Sequence, residues 1–309
     1  MRKDSAGKQY FGRRHIIADL FNAFVYGGEQ VIKPESLTFM PQEAMLKFWK
    51  GRKQPEWLRR IRDILASCTH FMDGKLIYSL LGVELQSMQD LLMLMRVHIY
   101  DLLSYATQIT QGPGVELPPG YLLMPVATLT INLSGSPWSL PTSLSEYFGN
   151  DPVLMESPLW KYICNYKIHV IDPYTMDDNS LLRLLTENRT VLHLLRRSND
   201  RNLLDIPPEF LPPDGRLSEE GSTFVGEMLQ IDLSAGKEKE GYNMCLGMDL
   251  LKKDLMEKGR QQGMQEERDG LVITMLGKQI SPDQIHRMTD IPLSQIFDIA
   301  KGNGILLGK

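Results

Sequence analysis

The sequence predicts an α/β fold in which a helix, three strands, a second helix and a further strand follow one another, with a helical C-terminal extension. Three observations carry this. Apolar residues recur at helical spacing in "RRHIIADLFNAFVY" (13–26), and Gly27-Gly28 supply a stop. Two β-rich runs in "DILASCTHFMDGKLIYSLLGVELQ" are separated by Asp73-Gly74, among the strongest short hairpin signals. Helical spacing then returns over residues 88–110, ahead of the β-branched segment "YLLMPVATLTINL".

Each element has a local reason. Ile16, Ile17, Leu20, Phe21 and Phe24 share one face of the first helix, and "QVIKPESLTF" reads as a short strand. The second helix carries Leu92, Met95, Ile99, Leu102, Leu103 and Ala106 toward a core, with Arg96 and Tyr100 four apart on another face. "WKYICNYKIHVID" is a later strand candidate, and residues 178–197 return to helical spacing. The Pro/Gly-rich "IPPEFLPPDGRLSEEGS" suits a loop or boundary. From about Asn243 the chain is helix-rich, with Gly259, Gly263 and Gly270 weakening the middle. Ser281-Pro282 and Pro292 open two short helices near the end, resembling part of a helix-turn-helix. The expected division is a domain over 1–200, a linker or insertion over 201–242 and a helical region over 243–309.

Composition narrows the class. With 309 residues, 42% of them apolar, the chain can bury a substantial core. No apolar run approaches the length of a membrane span, and charges are scattered through the opening residues, so a soluble, cytoplasmic protein with no membrane partner is expected. Cys68, Cys164 and Cys245 form no CxxC pair and the six histidines no HxxxH pair, which excludes the common zinc patterns and leaves reduced, mostly buried thiols. The net charge of −4 conceals an asymmetry: residues 1–62 hold 13 Lys and Arg against 6 Asp and Glu. Much of that excess lies in "KFWKGRKQPEWLRRIR", which gathers Lys47, Lys50, Arg52, Lys53, Arg59, Arg60 and Arg62 around Trp49 and Trp57. Such a stretch suits phosphate contacts with base or sugar stacking, and equally a solvated surface insertion.

The hairpin yields a geometric expectation. A two-residue loop at Asp73-Gly74 pairs Met72 with Lys75, and the same register brings Asp63 opposite Glu84. Opposed residues share a face with Cβ atoms roughly 4.5–5.5 Å apart, and strand alternation adds Gln86 to that face. Two carboxylates so close raise each other's pKa unless a cation lies between them. Magnesium suits the arrangement, because it binds through one or two carboxylates and keeps positions for water and a phosphate oxygen. Taken on spacing alone, an Asp opening a strand and a Glu closing one are also ordinary solvated residues.

At these residues the chain resembles the recombination-promoting nuclease family, a transposase-like bacterial branch of the PD-(D/E)XK nuclease superfamily. The landmarks "ADLFNAFVYGGEQVIKPESL", "RRIRDILA", "LLGVELQS", "MRVHIYDLLSYATQ" and "MPVATLTINLSGSPW" stand in that family's order, and "NMCLGMDLLKKDLMEKGRQQG" with the short helical tail is similar to its C-terminal extension. The resemblance covers most of the chain and is weakest over residues 150–240. It implies a restriction-endonuclease-like αβββαβ core and a Mg2+-dependent endodeoxyribonuclease, with Mn2+ as a substitute, acting on DNA in recombination or mobile-element biology.

By the same resemblance Asp63 is the metal-binding aspartate, and Glu84 with Gln86 the E-x-Q form of the superfamily's E-x-K. The Leu85 backbone carbonyl joins Asp63 and Glu84 as a metal ligand, and Asp19 falls where many members carry another acid. Lys50, Arg52, Lys53, Arg59, Arg60, Arg62 and Arg96 are the expected DNA contacts, with Tyr100 beside them. Two departures stand out. Gln86 is neutral where the wider superfamily has a lysine, so it can only hydrogen-bond. "MQDLLMLMR" is more apolar than the family's tyrosine and proline before the arginine. A nuclease-fold module that binds DNA or protein with little or no turnover is therefore the alternative. A third reading, a structural helical assembly protein, predicts homo-oligomers through residues 243–309.

Overall fold

The computed structural model describes residues 3–40, 62–112, 116–200, 202–212, 214–233, 236–238 and 241–305. The chain divides into two bodies, Met1–Gly247 and Met248–Lys309.

The first body opens with α1 (Lys3–Phe11) and α2 (Arg14–Phe24). α2 is the predicted first helix and buries Ile16, Ile17, Leu20 and Phe21. α1 had no clear sequence signal, because Gly7 and Gly12 break its pattern. Gly7 is there for fit: a Cβ would stand 3.1 Å from the Leu85 side chain. Next come β1 (Leu37–Phe39), β2 (Ile64–Met72) and β3 (Lys75–Gln86), an antiparallel meander. The Asp73-Gly74 turn has φ of 49° and 73°, the left-handed pair that a two-residue hairpin needs. Met72 pairs with Lys75 and Ile64 with Val83, as the turn chemistry predicts.

α3 (Met93–Gln111) crosses to β4 (Val126–Asn132), which lies parallel to β3, and so the predicted order of helix, three strands, helix and strand is present. α3 starts later than its apolar pattern because Asp90 Oδ1 accepts the Leu92 N–H at 2.9 Å and turns the chain there. Its buried face is also rotated from the expected one. Met93, Leu94, Arg96, Val97, Tyr100 and Leu103 face inward, while Leu92 and Leu102 are exposed. This rotation buries Arg96 and Tyr100 and leaves two leucines in water.

Short helices α4 (Leu144–Tyr147) and α5 (Pro152–Glu156) lead to β5 (His169–Ile171), which joins β4 in parallel and completes a five-stranded sheet in the order β1-β2-β3-β4-β5. The helical stretch expected over 178–197 is two helices, α6 (Asp178–Leu182) and α7 (Asn188–Arg196).

Residues 201–242 are the segment expected as a linker or insertion. They include β6 (Arg216–Leu217), α8 (Glu219–Leu229) and β7 (Lys237–Glu238), and with β8 (Gly241–Asn243) the strands form a small sheet of order β6-β8-β7. Phe224 of α8 is buried against Tyr10 and Phe11, each 5.3 Å away between ring centroids. Prolines at 207, 208 and 212 suggested a boundary, but apolar residues beyond them anchor this segment to α1.

α9 (Met244–Gly277) begins in the first body and is continuous through Gly259, Gly263 and Gly270, so these glycines do not end it. The second body contains the rest of α9 with α10 (Pro282–Thr289) and α11 (Leu293–Gly302), both opened at the predicted prolines. Its core is Val272, Leu276, Ile285, Ile291, Ile296 and Ala300. Among the described residues no helix is long and apolar enough to cross a membrane.

Candidate active site

The site is built on the β3 residues that alternation sends to the α3 side of the sheet. Glu84 lies beside Thr130 in the parallel β3–β4 register, and Gly82 beside Thr128. On the other flank Asp63 immediately precedes β2, in the position that continues the Ile64–Val83 pairing to Glu84. Asp63 Oδ2 accepts the Leu85 N–H at 2.9 Å, which fixes the carboxylate against the end of β3. Asp63 Oδ1 lies 2.8 Å from Lys8 Nζ, an ion pair reaching it from α1.

Glu84 is fully buried, and its carboxylate oxygens make no well-formed hydrogen bond, the Asp63 backbone N–H offering only a weak one. The Arg62 Nε is 3.8 Å from Oε1, too far for a hydrogen bond. Burial, reinforced by the neighbouring Asp63 charge, pushes the Glu84 carboxyl up to about 8, against the pull of Arg62 and Arg96. Unsatisfied atoms collect around it: Arg62 Nε and Nη1, Arg96 Nε and Thr130 Oγ1 are also buried without partners. A native interior rarely leaves so many polar atoms together unsatisfied, and such a group is suited to a bound ion, water or ligand. This donor set fits a hard divalent cation, since Asp63 and Glu84 supply oxygens and the Glu84 lone pairs are free. Among the described residues no group of three or more His, Cys, Asp and Glu side chains is disposed to hold a metal.

The remaining predicted residues divide into three groups. Arg96 and Tyr100 come to the site: both interact electrostatically with Glu84, and Arg96 Nη1 also pairs with Asp90 at 2.9 Å. Burial raises the Tyr100 hydroxyl, and its hydrogen bond with Arg96 pulls the other way. Gln86 is buried on the same strand face, but its Nε2 donates to the Leu85 carbonyl at 3.2 Å. That bond occupies one acceptor position of the carbonyl expected to ligate metal.

Two expectations are corrected. Arg62, expected on DNA, is 1% exposed; it pairs with Asp101 and lies over the Tyr100 ring at 5.8 Å. Gly82 makes room for it, because a Cβ there would be 2.5 Å from Arg62 Nη1. Arg62 is thus the interior counter-ion of the site, with no surface to offer a phosphate. Asp19, expected as a further acid of the site, is buried elsewhere and fully used. Its oxygens accept from the Leu185 and Thr186 N–H groups, the Thr186 hydroxyl and the Asn188 amide, tying α2 to the start of α7. Asp19→Ala is expected to cost about 3 kcal/mol or more by stranding these donors, read as a lowered urea midpoint. A variant of unchanged stability would contradict this role.

Lys50, Arg52, Lys53, Arg59 and Arg60 lie outside the described residues. Cys68 and Cys164 are free thiols, the first buried as expected and the second exposed. Three contributors escaped sequence reasoning. Thr130 needed the β3–β4 register, and Asp101 needed the rotation of α3. Lys8 sits on a helix with no clear pattern.

Fold and site together define a mixed α/β protein in which a buried carboxylate on β3, Glu84, lies near the half-buried, partnered Asp63 that precedes β2. Compared with known proteins, the chain matches no family model, no curated protein and no solved structure.

Proposed function

We propose that this protein is a metal-dependent DNA endonuclease with a restriction-endonuclease-like core, acting in recombination or mobile-element biology. The observation that carries the reading is Glu84, buried with neither oxygen in a well-formed hydrogen bond, and Asp63 in the position that continues the Ile64–Val83 pairing toward it. The order α2-β1-β2-β3-α3-β4 and the sequence resemblance support it.

Asp63 and Glu84 would hold Mg2+ or Mn2+, which would polarise a phosphodiester and activate water for attack. Their own scaffold sets the geometry: the Leu85 N–H orients Asp63, and Arg62 and Arg96 keep a positive field at Glu84 so that it ionises when the cation enters. Gln86 contributes only a neutral amide. Supercoiled plasmid incubated with purified protein and Mg2+ or Mn2+ is expected to be nicked or linearised, with EDTA stopping the reaction. Asp63→Ala and Glu84→Ala are each expected to lower the rate at least 100-fold. Equal cutting by both variants and wild type would remove the assignment.

The neutral Gln86, turned to its own backbone, favours one second reading: the same fold binding DNA without cleaving it. That reading expects retention of a labelled duplex in EDTA and no cutting with any divalent metal.

A further inference from the structure

Phosphodiester cleavage builds negative charge on the non-bridging oxygens, and a mobile cation placed there stabilises it. The described arginines at the site are poorly placed for that task. Arg62 is enclosed between Asp101, Glu84 and the Tyr100 ring. Arg96 is buried and held by Asp90. Lys8 differs from both: its side chain is 44% exposed, it stands on the accessible side of Asp63, and its four-carbon stem can turn the ammonium without moving α1.

Resting on the nuclease reading above, we infer that Lys8 receives the scissile phosphate of bound DNA, supplying from α1 the positive charge that Gln86 does not provide. In the free protein the ammonium pairs with Asp63 Oδ1 at 2.8 Å. On binding DNA it turns from Asp63 Oδ1 to a non-bridging phosphate oxygen. It keeps its proton throughout. In the hydrolysis it assists, a water oxygen bonds to phosphorus and the ester P–O bond breaks with its electron pair on the leaving oxygen. The water loses a proton to solvent and the leaving oxygen gains one.

Lys8 is 44% exposed and an ion pair of this kind contributes little to stability, so Lys8→Met should fold normally. Binding of a fluorescent duplex is measured by anisotropy over a range of NaCl, in Ca2+ to prevent cutting, for wild type, Lys8→Met and Lys8→Arg. Losing one phosphate contact should reduce the slope of log affinity against log salt by about one in Lys8→Met, and Lys8→Arg should retain it. Calorimetric Mn2+ binding should be as tight as in wild type or tighter, because an ammonium competing for Asp63 is gone. Cleavage in Mn2+ should fall roughly 100-fold or more in Lys8→Met, and adding Gln86→Lys should restore at least tenfold of it.

An unchanged salt slope overturns the assignment, whatever happens to cleavage. Weakened Mn2+ binding that accounts for the lost cleavage also overturns it, because Lys8 would then only position Asp63. A reduced slope in a protein that never cuts DNA would uphold Lys8 as the phosphate ligand and defeat the nuclease reading instead.

Discussion

Glu84→Gln is expected to raise the thermal midpoint in EDTA at pH 8.5 by roughly 5–10 °C while abolishing metal-dependent DNA cleavage. The stabilisation follows from the buried carboxyl, which is raised from an ordinary 4.5 to about 8 in the folded chain. In that interval the folded protein keeps a proton that the unfolded chain has lost. Stability is therefore greatest below about pH 4.5 as far as this group is concerned, and falls as pH rises toward 8. The loss is on the order of a few kcal/mol once the fold has relaxed around the charge.

A neutral amide of similar shape escapes that loss, so the variant's stability should be nearly flat from pH 5 to 8.5 where wild type declines. Mg2+ should stabilise wild type more at pH 8 than at pH 6, because the ligand must ionise to bind it, and should have little effect on Glu84→Gln. Thermal melts across this range, with and without Mg2+, decide the matter. A wild-type profile without a decline would mean that Glu84 is not a buried, raised acid.

Arg62→Met should be the most destabilising single change near the site, costing about 3–5 kcal/mol in denaturant unfolding. Removing the guanidinium takes the ionic partner from the half-buried Asp101 and leaves the space beside Gly82 that the guanidinium fills. Above pH 8, where Glu84 ionises, part of the cost should be recovered by adding Glu84→Gln, since the second change removes a buried charge without its counter-ion. DNA affinity per folded molecule should stay close to wild type, because a side chain that is 1% exposed has no path to a phosphate. A stable Arg62→Met protein with a large loss of DNA affinity would return this arginine to the surface contacts.

The difference between Arg62 and Asp63 shows how far sequence reading reaches. Asp63 was placed from the turn alone: Asp73-Gly74 accepts two positive φ values, the loop length sets the register, and the register decides what stands opposite Glu84. Arg62 is the neighbouring residue, yet it was grouped with the basic run before it. Its burial depends on a missing Cβ at Gly82 and an aspartate on α3, both distant in sequence. The apolar stripe of α3 likewise favours Leu92 and Leu102 as core residues, whereas the buried face carries Arg96 and Tyr100 instead. The resemblance makes Asp19 a further acid of the site, and only the start of α7 explains why it is buried elsewhere.

Local chemistry in the chain determined the hairpin and its register, the order of helices and strands from α2 to β4, and the openings of α10 and α11 at Pro282 and Pro292. These depend on turn dihedrals, helical periodicity and proline geometry, which act within a few residues. The tertiary structure alone decided that Lys8 meets Asp63, that Arg62 turns inward to Glu84 and Asp101, and that Thr130 faces Glu84 across a parallel pair. Such contacts join elements far apart in sequence, and their charges find each other only after burial has lowered the local dielectric enough for each pairing to matter.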